Sequence, residues 1–221
     1  MRKRQDKLPG SAGFTLVELL VVIAIIMLLA GIIMPALNEV KQSAKAKRTL
    51  VRITELSNGC EDYKADTGLY PGQRWPGEVD TYTGAQVLGA CLFDYNYSQI
   101  TGNPTPSPKY ATVTPGDLIT YNGVANVIDD EFDSDSQMPL LYYASTLGVE
   151  GLGQYDPNDN AAITGSVTWD NDEGTGAFED YIKDRSIQGD ASTTPINDGR
   201  FIIIGAGVDR TYGTNDDMLN P

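Results

Sequence analysis

The 19 residues from Leu19 to Leu37 carry no charge, and no other stretch constrains the fold of this chain as strongly. A bilayer core is crossed by about 20 mostly apolar residues in a helix, at about 1.5 Å rise each. The segment from Phe14 to Leu37 supplies that length. A helix buried in a soluble core is the competing explanation, and the uncharged run is too long for it. The segment therefore reads as a membrane span with one acid, Glu18, near its start.

That acid needs a partner, because a carboxylate in a spanning helix costs a few kcal/mol and somewhat less near the interface. Phe14 stands four residues earlier and shares its helix face. If the chain were cut after Gly13, the new amino group of Phe14 would be a cation at neutral pH. An interfacial glutamate reaching its headgroup region is the plainer alternative. Gly31 and Pro35 also lie in the span. Proline removes a backbone donor and its ring crowds the carbonyl four residues back, here that of Gly31, so a kink or loosened turn is expected. Lipid cannot satisfy the freed backbone groups, and neighbouring helices would have to cover them.

The order of the N-terminal features separates this segment from an ordinary signal peptide. In that class a basic start and an apolar stretch of about 7–15 residues precede a small-residue cleavage site. Here the glycine stands in front of a longer stretch, in Gly13-Phe14-Thr15-Leu16-Val17-Glu18. Cleavage at Gly13/Phe14 would remove residues 1–13 and leave the span in place. This arrangement resembles the class III leader of type IV pilins and type II secretion pseudopilins. The resemblance implies processing and N-methylation at Phe14 by a prepilin peptidase acting on the cytoplasmic side. It also implies that Glu18 pairs with the N-terminus of a neighbouring subunit.

Charge is distributed unevenly along the chain. Residues 1–13 hold four basic residues and one acid, and residues 38–52 hold five basic residues and one acid, Glu39. From Ile53 onward there are 27 acids and seven basic residues. A domain this acidic does not bind nucleic acid by general electrostatics, which requires clustered Lys and Arg. Its charged partners are expected to be cations. Basic residues flank the span on both sides, so the positive-inside rule leaves orientation open; the resemblance places the acidic part in the periplasm.

Beyond the span, Leu50, Ile53, Leu56, Cys60 and Tyr63 recur at helical steps, and Thr67-Gly68 followed by Tyr70-Pro71-Gly72 is a stop signal. One helix of about 50 residues is expected, with residues 14–37 in lipid and 38–66 packed by that stripe on a head formed by residues 67–221. A second helix is expected around Gly84 to Tyr95, with Val87, Leu88, Cys91 and Leu92 as its stripe. Asn103–Pro108 and Asp129–Ser136 read as loops. Pro139–Ala144 and Phe201–Ile204 read as strands. Gly151–Gly176 is rich in Gly, Asp and Asn and reads as a long insertion. Helices followed by a few strands imply an α+β fold with a small antiparallel sheet. Cys60 and Cys91 are the only cysteines; spacing leaves open whether they form a disulfide or remain buried thiols.

Two stretches of the head carry a resemblance to the major pseudopilin of type II secretion. They are Thr83-Gly84-Ala85-Gln86-Val87-Leu88 and the terminal run from Phe201 to Asp217. The family often has Pro-Asp-Gly where this chain has Val208-Asp209-Arg210. It also often has Asp-x-Trp-Gly-x-Pro where this chain reads Asp135-Ser-Gln-Met-Pro139. The terminal run places Asp209, Thr214, Asp216 and Asp217 within nine residues, and carboxylates, hydroxyls and carbonyls are the ligands calcium takes. The spacing is not that of an EF-hand. The resemblance implies calcium in the closing loop 205–219, with side-chain oxygens from those four residues and carbonyls from about Ala206 and Thr211. A solvated acidic tail is the alternative. The acidic runs Asp129-Asp130-Glu131 and Asp170-Asn171-Asp172-Glu173 are expected to be solvated loops.

The expected function is structural. The resemblance implies an inner-membrane precursor that joins a homopolymeric periplasmic filament through its first helix, together with minor pseudopilins and an inner-membrane assembly platform, to drive protein export. A type IV pilin or minor pseudopilin is the nearer alternative. A membrane-tethered enzyme or binding module is the alternative from another class. The chain has no histidine, and no nucleophile-and-base pair or phosphate-cradling glycine loop is evident.

Overall fold

The computed structural model describes residues 14–73, 82–93, 100, 102, 107, 109–112, 114–165, 167–171, 174–188 and 192–220. The chain divides into two compact units, residues 1–43 and 44–221. The first helix, α1 (Leu16–Thr67), contributes to both.

In the first unit α1 runs without interruption through Gly31 and Pro35. Every residue from Phe14 to Met34 is exposed. The most apolar 18-residue window has a mean hydropathy of 3.1 and none of it is buried. This is a helix long and apolar enough to cross a membrane.

In the second unit α1 has a sharply divided surface. Thr49, Arg52, Ile53, Leu56, Gly59 and Cys60 are buried, on one helical face. The expected stripe is thus present from Ile53 onward. Leu50 departs from it, being 43% exposed. Thr49 takes the inward position, where a Cβ on Gly205 would stand 2.9 Å from its methyl group. The helix ends at Thr67, and Gly68 follows with φ +84°, the left-handed conformation that favours glycine.

The second helix, α2 (Gly84–Leu92), is shorter than expected and begins with a reciprocal capping box between Thr83 and Gln86. All of its residues after Gly84 are buried. Gly84 is required by contact, because a Cβ there would fall 2.0 Å from the carbonyl oxygen of Tyr142.

The main sheet has three antiparallel strands in the order β3 (Leu141–Ala144), β6 (Phe201–Gly205), β7 (Met218–Leu219). Tyr142 pairs with Ile203 and Tyr143 with Ile202. Side chains alternate between faces. Leu140, Tyr142, Phe201 and Ile203 join Ile53, Leu56 and Leu88 in one apolar cluster. Leu141, Tyr143, Ile202 and Ile204 join Tyr155, Ile163, Trp169 and Phe178 in another. The α+β class with a small antiparallel sheet is therefore as expected.

Three features depart from the sequence reading or add to it. A hairpin of β1 (Leu118–Tyr121) and β2 (Val124–Ile128) stands where no strand was expected, with Asn122 and Gly123 at its turn in positive φ. The segment Gly151–Gly176 is structured. It contains short helical turns at Leu152–Gln154, Pro157–Asn160 and Ala161–Thr164, then the hairpin β4 (Trp169–Asn171) and β5 (Gly174–Gly176). The third departure concerns Asp129 and Asp130, which are buried. Asp172, Glu173 and most of the Asn103–Pro108 loop lie outside the described residues.

Candidate assembly helix and closing loop

The start of α1 gives Glu18 a partner within its own chain. Its Oε2 accepts hydrogen bonds from the Thr15 amide at 2.9 Å and the Thr15 hydroxyl at 2.7 Å, while the Glu18 amide donates to the Thr15 hydroxyl at 3.2 Å. This is a capping box, and Thr-x-x-Glu ahead of an apolar run is its sequence signature. The signal was available in Thr15-Leu16-Val17-Glu18 and went unread. Glu18 thus satisfies donors at a helix end where lipid offers none. Gly13 lies outside the described residues. A Cβ on Gly31 would meet nothing within 4 Å, so that side of the helix is open to close approach by another backbone.

The closing loop joins β6 to β7, and its carboxylates fold it back on itself. Asp216 Oδ2 accepts from the amides of Val208 at 2.6 Å and Asp209 at 3.0 Å, and its Oδ1 from the Thr214 hydroxyl at 2.7 Å. Asp209 Oδ1 accepts from the Thr211 amide at 2.8 Å, and the Thr211 carbonyl accepts from the Thr214 hydroxyl at 3.2 Å. Asp217 Oδ2 takes three donors: the Tyr181 hydroxyl at 2.7 Å and the amides of Gly213 at 2.6 Å and Thr214 at 3.2 Å. Gly207 must lack a side chain, since a Cβ would stand 2.4 Å from the Asp216 carbonyl oxygen. Ala206 is buried at the root of the loop.

The two adjacent acids are tuned in opposite directions. Burial pushes the Asp217 carboxyl up to about 7, against the pull of its three donors. Burial also raises Asp216, but the Thr214 hydroxyl and the Asp209 and Val208 amides outweigh it and hold that carboxyl below its usual range. Asp217 Oδ1 is buried with no hydrogen-bond partner.

The donor chemistry of this loop suits a hard cation, and the orphaned Asp217 oxygen is the one atom that calls for one. The observed arrangement does not assemble a full ligand set. Among the described residues no three His, Cys, Asp or Glu side chains stand close enough to share a metal ion. Asp209 and Asp216 are committed to amides of their own loop.

A polar cluster that sequence reasoning missed braces the closing loop from behind. The Arg210 guanidinium reaches the fully buried Asp130, with Nη1 at 2.5 Å and Nη2 at 3.2 Å from its two oxygens, and Nη2 also donates to the Ser136 carbonyl at 2.6 Å. The Tyr212 hydroxyl donates to the Pro139 carbonyl. Arg52, 4% exposed, donates to the Thr112 carbonyl at 3.0 Å and lies 3.2–3.5 Å from Glu55, Asp117 and Glu131. Lys45 bonds Asp133 at 2.6 Å. The run Asp129-Asp130-Glu131 is therefore a set of anchor points, and the expectation of a solvated loop is corrected. The physical reason is that two cations reach it, Arg210 at Asp130 and Arg52 at Glu131, while Lys45 holds Asp133 just beyond. The available signal was Arg210 itself, a lone cation in the terminal acidic stretch.

Cys60 and Cys91 are both buried free thiols, so the disulfide left open by the sequence is not formed. Burial raises both, that of Cys91 to about 12, which leaves them unreactive.

Residues 8–34 match the family model described as the prokaryotic N-terminal methylation motif. The type II secretion system core protein G of Escherichia coli (strain K12) is 28% identical over 129 residues, covering 57% of this chain and 88% of that protein. The methylation motif and this relative support a likeness to type II secretion major pseudopilins. Core protein G of Aeromonas hydrophila is 37% identical over 71 residues, covering 32% of this chain and 46% of that protein. Its counterpart from Vibrio cholerae serotype O1 is 35% identical over 65 residues, covering 29% and 44%. The chain thus spans most of the first relative and less than half of the other two. No solved structure matches it. The apolar first helix fits a pseudopilin anchored in the inner membrane.

Proposed function

We propose that this pseudopilin is the structural subunit of a type II secretion filament, cut after Gly13, N-methylated on Phe14, and assembled through α1 to drive protein export. The observation that carries the reading is the exposed first unit of α1. From Leu19 to Met34 its exposed residues carry no charge, and helices of that kind are covered by lipid or by other helices. The precursor occupies the first environment and the filament the second. Minor pseudopilins, an assembly platform and a prepilin peptidase are the partners this reading requires, with the head in the periplasm.

After cleavage the new amino group of Phe14 and the carboxylate of Glu18 are left at the same end of the helix. Glu18 then has two duties, capping its own first turn and pairing with the N-terminus of a neighbour. Calcium belongs to the same reading. Asp217 Oδ1, which has no hydrogen-bond partner, would be the first ligand, and Asp209, Thr214, Asp216 and the carbonyls of Ala206 and Thr211 would hold the ion after exchanging loop hydrogen bonds for it. The role of the ion there is to neutralise buried carboxylates and fix the loop.

The deciding experiment is the N-terminal mass of the mature protein purified from membranes of its host. A chain starting at methylated Phe14 is expected. A chain that keeps Met1, or one that begins beyond Leu37, overturns the reading. For calcium, the thermal midpoint of the full chain in detergent is expected to rise with added calcium by ligand linkage, about 2.7 kcal/mol at a hundredfold excess over Kd. The same addition should have little effect on Asp217→Asn. A midpoint indifferent to calcium removes the ion from the account.

A further inference from the structure

The outer edge of β3 is only partly covered. The Ser145 amide donates to the Arg200 carbonyl at 3.0 Å, so Tyr143 and Leu141 also face β6, because antiparallel pairs alternate along a ladder. The backbone groups of Tyr142 and Ala144 therefore point off the free edge. The Tyr142 carbonyl accepts from Asn160 Nδ2 at 2.8 Å. Just past the strand, the Thr146 amide donates to the Gln154 carbonyl at 2.7 Å. Between these two covers, the N–H and C=O of Ala144 have no hydrogen-bond partner among the described residues.

Ala144 lies on the wall of a cavity of about 250 Å³, lined also by Gly72, Val87, Ser145, Asp156 and Asp159. The surroundings hold that wall in place. Gln73 Nε2 donates to the Ser145 carbonyl at 3.1 Å and to its hydroxyl at 2.6 Å. Asp156 Oδ1 accepts from the amide and the side chain of Asn158 at 2.8 and 2.9 Å, which leaves Oδ2 to face a ligand. A Cβ on Gly72 would stand 3.3 Å from Val87 and 3.5 Å from Ala144, so glycine keeps the space open. Among the described residues that line the cavity, two are carboxylates and none is Lys or Arg.

We propose that this cavity takes one basic residue from an extended segment of a different protein. The segment's backbone exchanges a pair of hydrogen bonds with Ala144, as a strand added to a sheet edge does, and its Lys or Arg side chain meets Asp156 and Asp159. The two covers leave room for one such pair, so indiscriminate strand addition along the edge is blocked. Selection falls to the carboxylates, since a charge-assisted hydrogen bond is about twice as strong as a neutral one. A second copy is the poorer occupant. From Ile53 onward the chain carries 27 acids against seven basic residues, and such heads repel each other. The inference adds a recognition surface to the subunit and does not depend on filament assembly.

The test uses the full chain in detergent, isotope-labelled at alanine nitrogen, with the Ala144 resonance identified by its loss in Ala144→Gly. The probes are the blocked tripeptide acetyl-Ala-Arg-Ala-amide and its glutamine counterpart. The Ala144 amide resonance is expected to move and saturate, with the arginine peptide bound about tenfold more tightly than the glutamine one. Asp156→Asn and Asp159→Asn are each expected to reduce that preference to about twofold or less as a charge is removed. No movement of the Ala144 resonance at millimolar peptide, or equal movement with both peptides, overturns the proposal and leaves the filament reading intact. A resonance that shifts with protein concentration in the absence of peptide makes a second copy the occupant and also overturns it. So does a preference for arginine that survives in both asparagine variants. The titration of the unsubstituted chain decides alone if a variant fails to fold.

Discussion

The two faces of the sheet made by β3 and β6 are both buried, yet their covers are encoded very differently. One face lies under α1 and α2, whose apolar residues recur at helical steps. The other lies under residues 152–182, where Tyr155, Ile163, Trp169, Phe178 and Ile182 are buried one at a time between polar turns. Periodic burial is read from a single window of sequence. Sporadic burial is not, because each residue of that cover is placed by tertiary contact alone. What differs is thus legibility, and the physical roles of the two covers are alike.

The largest predicted effects test that equivalence. Trp169 meets Phe178 and Tyr181 at ring separations of 4.8 and 5.0 Å. Trp169→Ala should cost about 3–5 kcal/mol, and Leu56→Ala on the other face about 2–5 kcal/mol. Chemical denaturation of the full chain in detergent measures both. A cost below about 1 kcal/mol for Trp169→Ala would break the comparison and reduce residues 152–182 to an appendage.

Legibility follows the same division across the molecule. The apolar run, the stop at Thr67-Gly68, the stripe from Ile53 to Cys60 and the strands near Leu141 and Phe201 were all open to pattern reading. Leu50 was misplaced because a one-residue rotation of the stripe is decided by Gly205 and Thr49 on facing elements. The β1–β2 hairpin was missed although Tyr121-Asn122-Gly123-Val124 contains the Asn-Gly turn signal. In the closing loop, the four side chains named from the sequence do gather, but their first partners are backbone amides of the same loop. Asp130 could not have been recognised from local sequence, since its partner Arg210 is 80 residues away.

That pair provides the next prediction. Asp130 is fully buried and Arg210 partly so, and removing the arginine strands a buried carboxylate. Arg210→Ala should destabilise the head by about 3–5 kcal/mol. Adding Asp130→Asn should recover part of the loss, because a neutral amide costs less to bury than an unpaired carboxylate. A double-mutant cycle checks this. If the two losses simply add, the pair carries no coupling and the brace behind the closing loop is incidental packing.

The smallest effect is a pH dependence, and it separates the acids at this end of the sheet from those on open surface. Burial, with the charge of neighbouring Asp130 adding to it, raises Asp129 to about 6 against the pull of Gln137 and Arg210. Lys45, Arg48, Glu131 and Asp133 face the same depression. A carboxyl raised in the folded state binds its proton more tightly folded than unfolded, so stability increases as pH falls from about 7 toward 4. Exposed, paired acids such as Asp133 and Asp180 are held below their ordinary range and act in the opposite sense, losing their contribution only at lower pH. The thermal midpoint should therefore be higher near pH 5 than near pH 8. The share due to Asp129 is about 1 kcal/mol, or roughly 2–4 °C in a chain of this size. Asp129→Asn removes that share, so the difference between variant and unsubstituted chain isolates it from every other titrating group. A midpoint that responds to pH identically in both would mean that Asp129 titrates as a surface acid, and that its burial is relieved in solution by opening of the 129–137 segment.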